Sequence, residues 1–155
     1  MWHPKLTMLI GALASAALAC AYPQISAAQM LISETEAKLP LSPDSGMATR
    51  GLTRGPAVEM ISPALGASNV KSPLPLKIKF TGRNNIAIDP ASVKLTYLRF
   101  PTVDVTERIK SYVTKDGIDM AQAEVPPGTH VLRLDVKDAE GRSTSTTITL
   151  SVATK

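Results

Sequence analysis

Residues 124–152 constrain the fold of this chain more than any other stretch. They open on Glu-Val-Pro-Pro-Gly-Thr-His, and Pro127 with Gly128 suits the two central positions of a type II turn. Proline presets φ there, and glycine accepts φ > 0. Strict alternation follows. Leu132, Leu134 and Val136 fall on one face, and Val131, Arg133, Asp135 and Lys137 fall on the other. Asp138 and Gly141 bracket a tight return, after which Thr146, Ile148, Leu150 and Val152 alternate with Thr147, Thr149 and Ser151. Period-two patterning on both sides of a short loop predicts a β-hairpin with one buried face.

The same pattern recurs upstream. Residues 58–61 read as a short strand closed by Ser62 and Pro63. Leu76, Ile78 and Phe80 alternate with Lys77, Lys79 and Thr81. Pro73 and Pro75 just ahead cannot donate to a neighbouring strand, which marks a protected edge. Asp89 and Pro90 turn the chain into Val93, Leu95 and Tyr97. About seven short strands fit between residues 56 and 152, roughly one immunoglobulin-like antiparallel β-sandwich. The expected fold class is all-β, with the domain at residues 56–155.

Several turn and strand markers resemble those of a bacterial Ig-like domain. They are Ile-Ser-Pro-Ala-Leu-Gly at 61–66, Pro-Leu-Pro-Leu-Lys-Ile-Lys-Phe at 73–80 and Ile-Asp-Pro-Ala-Ser-Val at 88–93. Pro-Gly-Thr-His at 127–130 and Asp-Ala-Glu-Gly-Arg at 138–142 are similar to that family's last hairpin. The resemblance implies a non-catalytic module of an exported protein that spaces, adheres or binds, and its markers specify fold more than activity. The opening Ser-Pro-x-x-Gly at 62–66 also looks like that of small periplasmic copper-carrying β-sandwiches. Those bind copper through an N-terminal histidine and further His or Met residues, a set this chain lacks.

Ahead of the domain, residues 1–28 read as a secretory signal peptide. Lys5 precedes an unbroken run of apolar and small residues over 6–21. At about 1.5 Å per residue that run is short for a permanent membrane anchor. Ser26, Ala27 and Ala28 before Gln29 satisfy the small-x-small rule, which predicts a mature chain from Gln29 without cysteine and hence without a disulfide. Ala17, Leu18, Ala19 and Cys20 partly resemble a bacterial lipobox, with Ala17 and Leu18 in reverse order. A lipoprotein anchored through Cys20 is therefore the alternative. Residues 29–55 lose periodicity and gather turn formers, so they read as a flexible linker. The expected location is the periplasm or the exterior, with no transmembrane helix in the mature chain.

Charge and aromatic content narrow the function. The net charge of +4 is dispersed, and Lys77 and Lys79 are simply the outward side of a strand. Dispersed cations are not a nucleic-acid footprint. Aromatic residues make up 4% of the chain, too few rings for stacking surfaces on bases or sugars. After signal removal only His130 remains of the two histidines, and it follows a turn at a strand start, where a structural role fits better than a catalytic base. Met30, Met47, Met60 and Met120 are scattered. No catalytic residue, metal site or cofactor is expected. Asp135, Asp138 and Glu140 could offer oxygens to calcium, but Asp138 reads more simply as an Asx cap of the turn. The partner expected is an unidentified protein or glycan of the envelope or the exterior.

One segment departs from a plain sandwich. Asp104 and Glu107 have capping-box spacing, and Val105, Ile109, Tyr112 and Val113 recur at helical spacing before Gly117. This predicts a short inserted helix at about 105–113. Its apolar stripe is expected to cover Leu98 and Phe100, which share the outward parity of Lys94 and Thr96. Glu107, Arg108, Lys110 and Lys115 then form an outward rim, the candidate partner contacts.

Overall fold

Two sheets face one another over the described residues, 27–46 and 54–154 of the computed structural model. In chain order the strands are β1 (Gln29–Met30), β2 (Ala57–Ser62), β3 (Leu74–Thr81), β4 (Ile88–Tyr97), β5 (Val103–Asp104), β6 (Val113–Thr114), β7 (Gly117–Glu124), β8 (Gly128–Asp138) and β9 (Ser143–Val152). Two single-turn α-helices, α1 (Glu34–Ala37) and α2 (Thr106–Ile109), and three 3-10 turns at Pro43–Gly46, Arg83–Asn85 and Lys110–Tyr112 complete the list among the described residues. One sheet runs β1-β7-β3-β2, with β6 also on β7, and the other runs β5-β4-β8-β9. The fold is an all-β sandwich with a short helical insertion.

The closing hairpin forms as its alternation predicts. β8 and β9 pair antiparallel from Gly128↔Val152 to Lys137↔Ser143 without a shift. Leu132, Leu134, Val136, Ile148, Leu150 and Val152 all enter the core. Each such fully buried side chain contributes about 1.5–3 kcal/mol. The return is held by the buried Asp138, whose Oδ1 accepts from the backbone N–H groups of Glu140 and Arg142 and whose Oδ2 accepts from Arg142 Nε. Burial pushes this carboxyl up, but Arg142 and the backbone donors outweigh burial and hold it below the ordinary range.

β3 alternates without a fault: Leu74, Leu76, Ile78 and Phe80 are buried and the residues between them are exposed. It is not an edge strand, contrary to the reading of its prolines, because it lies between β7 and β2. β2 joins it only from Ser62↔Lys77 onward, and the register with β7 shifts between Leu74 and Leu76. Pro75 therefore sits where neither neighbour asks for an N–H. Gly117 starts β7 at φ 151°, and a Cβ there would lie 2.0 Å from the Ile78 carbonyl oxygen. Only glycine lets the two strands approach so closely.

The linker expected over 29–55 does not hold for residues 29–46. β1 pairs in parallel with β7 at Gln29↔Ala123, and Leu31 and Ile32 are buried. Ser33 and Glu36 form a reciprocal capping box around α1. Further on, Leu41 bridges Arg99 and Ser42 N–H donates to the Leu98 carbonyl. Two adjacent apolar residues are too few to show a period, and their burial depends on β7, far along the chain. Residues 1–26 and 47–53 lie outside the described residues. So do the apolar run at 6–21, Cys20 and all of the expected signal peptide except Ala27 and Ala28. Among the described residues, no helix is long and apolar enough to cross a membrane.

The inserted helix is shorter than its periodicity suggests. α2 gives way to a 3-10 turn at Lys110–Tyr112 and then to β6. Asp104 Oδ1 accepts from Thr106 N–H at 2.9 Å, whereas Glu107 pairs with Lys110 instead of turning back to close a capping box. Val105 and Ile109 are fully buried, with Tyr112 and Val113 packed half-buried against the same core. The stripe is thus internal, but it does not cover Leu98 and Phe100. Val105 N–H donates to the Leu95 carbonyl and Leu95 N–H donates to Thr106 Oγ1, which docks the insertion lower on β4. Beside Leu98 and Phe100 runs the 39–42 backbone, and Phe100 remains 67% exposed.

Candidate functional site

The rim expected at Glu107, Arg108, Lys110 and Lys115 divides in two. Glu107 and Lys110 are exposed and pair with each other at 3.2 Å, and Lys115 is exposed in the turn between β6 and β7. Arg108 turns inward instead. Its Nη2 reaches Glu36 Oε1 at 2.6 Å, and its Nη1 donates to Glu36 Oε2 and to the Leu31 carbonyl, both at 2.8 Å. A bidentate guanidinium–carboxylate pair is the strongest geometry available to this charge pair. The Arg108 hydrogen bonds, with help from Ser33 and against partial burial, bring the Glu36 carboxyl down to about 2. The same pairing raises Arg108. Arg108 is an internal clamp, and it leaves the list of partner contacts.

A second clamp lies at one end of the sandwich, around His130. The ring is buried, its Nε2–H donates to the Pro126 carbonyl at 2.8 Å, and its Nδ1 lies 2.7 Å from Tyr97 Oη. Because a carbonyl can only accept, the neutral ring carries its proton on Nε2 and accepts the Tyr97 hydroxyl proton at Nδ1. Tyr97 Oη in turn accepts from Arg99 Nε at 2.8 Å. The remaining Arg99 donors reach the carbonyls of Leu39 and Thr129. Burial pushes His130 down, with Arg99 adding to it and the Pro126 bond opposing. Burial also pushes the Tyr97 hydroxyl up. Both ring nitrogens are engaged, so His130 ties β8 to β4 and, through Arg99, to the 39–42 segment.

Sequence reading missed Glu36, Tyr97 and Arg99 as parts of these clamps. One signal was present: Ser33 and Glu36 carry the Ser-x-x-Glu spacing of a capping box. Tyr97 and Arg99 share strand parity, which is too common to single out.

Two concavities stand out among the described residues. One, about 760 Å³, lies at the end of the sandwich where Met30, Ile32, Pro73, Val125 and Pro127 meet Lys71. The other, about 290 Å³, opens along the side between β2 and β9, floored by Val58, Met60, Ile78 and Ile148 and overhung by Leu65. Leu65 is 82% exposed. Both are apolar with a few hydroxyls or charges at the rim, a lining suited to holding an apolar group. Among the described residues, no group of three or more His, Cys, Asp or Glu side chains gathers at a point that could hold a metal ion. The acidic residues of the last hairpin spend their oxygens on Arg133, Arg142 and the turn backbone. No family model, curated protein or solved structure matches the chain.

Proposed function

We infer that the chain is an exported, non-catalytic Ig-like module of a bacterial envelope that acts by binding or by structural spacing. The order of the six long strands carries this reading. β2, β3 and β7 form one sheet in the places of strands A, B and E of an immunoglobulin sandwich, and β4, β8 and β9 form the other in the places of C, F and G. After β2 the chain crosses to the second sheet and touches β9 in parallel at Val70↔Val152. Export is supported by the residue order over 1–28, and the proposed cut after Ala28 falls immediately before Gln29, the first of the described residues in sheet register. Intact-mass measurement on the chain recovered from an expressing bacterium's envelope fraction tests it. A mass beginning at Gln29 is expected, and a lipid-modified Cys20 start would assign the anchored form. A chain still beginning at Met1 would overturn the export reading.

A further inference from the structure

Sheet edges differ in how they are guarded, and among the described residues the middle of one of them, β9, carries none of the usual guards. β1, β5 and β6 are two-residue strands, too short to template another. β2 carries Glu59, has a register shift between Met60 and Ser62, and ends at Pro63. β9 has ten residues with no charge and no proline, and its pairing with β8 runs without a bulge. Threonine, isoleucine, leucine and valine fill most of it, all suited to an extended pleated strand.

The direction of its free backbone groups follows from Val70. Val70 N–H donates to the Ser151 carbonyl and Ala153 N–H donates to the Val70 carbonyl, so odd-numbered residues of β9 face the outer edge. Backbone groups alternate along a strand, which places those of Ser145, Thr147 and Thr149 on that edge and those of Thr146 and Ile148 towards β8. Among the described residues, no backbone group bonds Ser145, Thr147 or Thr149 from the outer side. The apolar cleft between β2 and β9 runs beside these residues.

We propose that the β9 edge at Ser145, Thr147 and Thr149, with the adjoining cleft, takes a short extended peptide by strand addition, the peptide being uncharged with apolar side chains at alternate positions. Main-chain bonds to the three outward residues supply the affinity, and the cleft over Val58, Met60 and Ile148 receives every second side chain. A partner's extended segment fits better than a second copy of this chain. Antiparallel self-pairing centred on Thr147 sets Ser143 opposite the copy's Ser151. Val70 already occupies the outside of Ser151, and Gly55 packs so closely on Ser143 that a Cβ would lie 2.5 Å from its carbonyl oxygen. The two copies would collide at both ends, whereas a strand of about five residues fits between these stops.

This proposal deepens the binding-module reading and rests on it, but the two fail separately, because the peptide assay does not depend on where the mature chain begins. The test titrates the isotope-labelled chain with acetyl-Ser-Val-Thr-Val-Ser-amide and follows amide hydrogen exchange. Exchange at Ser145, Thr147 and Thr149 should slow at least tenfold, while Thr146 and Ile148, already paired to β8, hardly change. Thr147→Pro removes one outward donor without breaking a β8 bond, and Thr149→Lys adds a charge to the edge; each should weaken binding at least tenfold. Should Thr147→Pro not fold, Thr149→Lys decides. No slowing at the three odd-numbered residues, or unchanged affinity in the variants, overturns the proposal. So does protection of those residues without peptide in a species of doubled mass, which would assign the edge to a second copy.

Discussion

Replacing Glu36 by glutamine tests whether the segment ahead of the sandwich is part of the fold. The carboxyl titrates at about 2 in the folded chain against an ordinary 4.5. At about 1.4 kcal/mol per pH unit that gap corresponds to no more than about 3.5 kcal/mol. The Arg108 and Glu36 side chains are 31% and 17% exposed, so water screens part of the pairing. About 1–2 kcal/mol is the expected loss. Glutamine can still accept from Ser33 N–H, so the α1 cap survives, while the charge and the oxygen that accepts from Arg108 Nη2 are removed. For a domain of this size, the melting temperature should fall by about 3–8 °C at neutral pH. Because the folded carboxyl is the more acidic, its stabilisation is complete above pH 4.5 and disappears as the pH falls towards 2. Wild type and Glu36→Gln should therefore differ at pH 7 and converge at pH 2–3 in thermal unfolding followed by circular dichroism. Amide exchange at Leu31 and Ile32 should quicken in the variant. Equal melting temperatures at pH 7 with Leu31 and Ile32 equally protected would refute the clamp.

Two further outcomes follow from the core and from the second clamp. Ile109→Asp should cost about 3–5 kcal/mol in urea unfolding, because a charge would enter a fully buried position, and an unaltered transition would show that the insertion is not core. Buried His130 is held neutral below its ordinary 6.5, so its contribution to stability is present above that pH and is lost as the pH falls below it. Wild-type stability should decline on going from pH 7 to 5, and His130→Phe should flatten that decline; an imidazole resonance titrating at 6.5 or above would contradict the buried neutral ring.

What was legible in the sequence was whatever one strand reveals by itself. The alternation of residues 131–137, 146–152 and 76–81 named most of the buried side chains of β8, β9 and β3, but Val131, on the outward parity, is buried as well, and Thr146, on the inward one, is only half-buried. Period-two patterning is a property of one strand against one core, so it needs no knowledge of the neighbour. What a strand lies beside is another matter. The prolines at 73 and 75 marked an edge that a register shift makes unnecessary, and the parity of Leu98 and Phe100 asked for a cover without saying which segment lies there. Residues 29–46 were the largest omission. Their order comes from Leu31, Ile32 and a capping box engaged by Arg108 from the far insertion, and no local window contains both partners.

Three internally bonded arginines also change what the net charge means. Arg99 donates to Tyr97, Leu39 and Thr129, Arg108 holds Glu36 and Leu31, and Arg142 closes the last turn on Asp138. Each binds the chain's own oxygens, so none is a free cation for an anionic partner. Arg99 follows β4 and Arg108 lies on α2, both beside the second sheet, whereas β1 is bonded to β7 in the first. The 29–46 segment is therefore held by both sheets and spans between them, a role that spends the arginines internally. Exposed lysines remain, but Lys77 and Lys110 are matched by Asp119 and Glu107. Screened pairs of this kind are weak determinants of binding. The least matched feature among the described residues is instead an uncharged one: three residues of β9 whose outward backbone groups have no described strand beside them. Peptide groups left at an edge bond most strongly to another extended chain, so recognition here should depend on backbone geometry and small apolar side chains, and only weakly on salt.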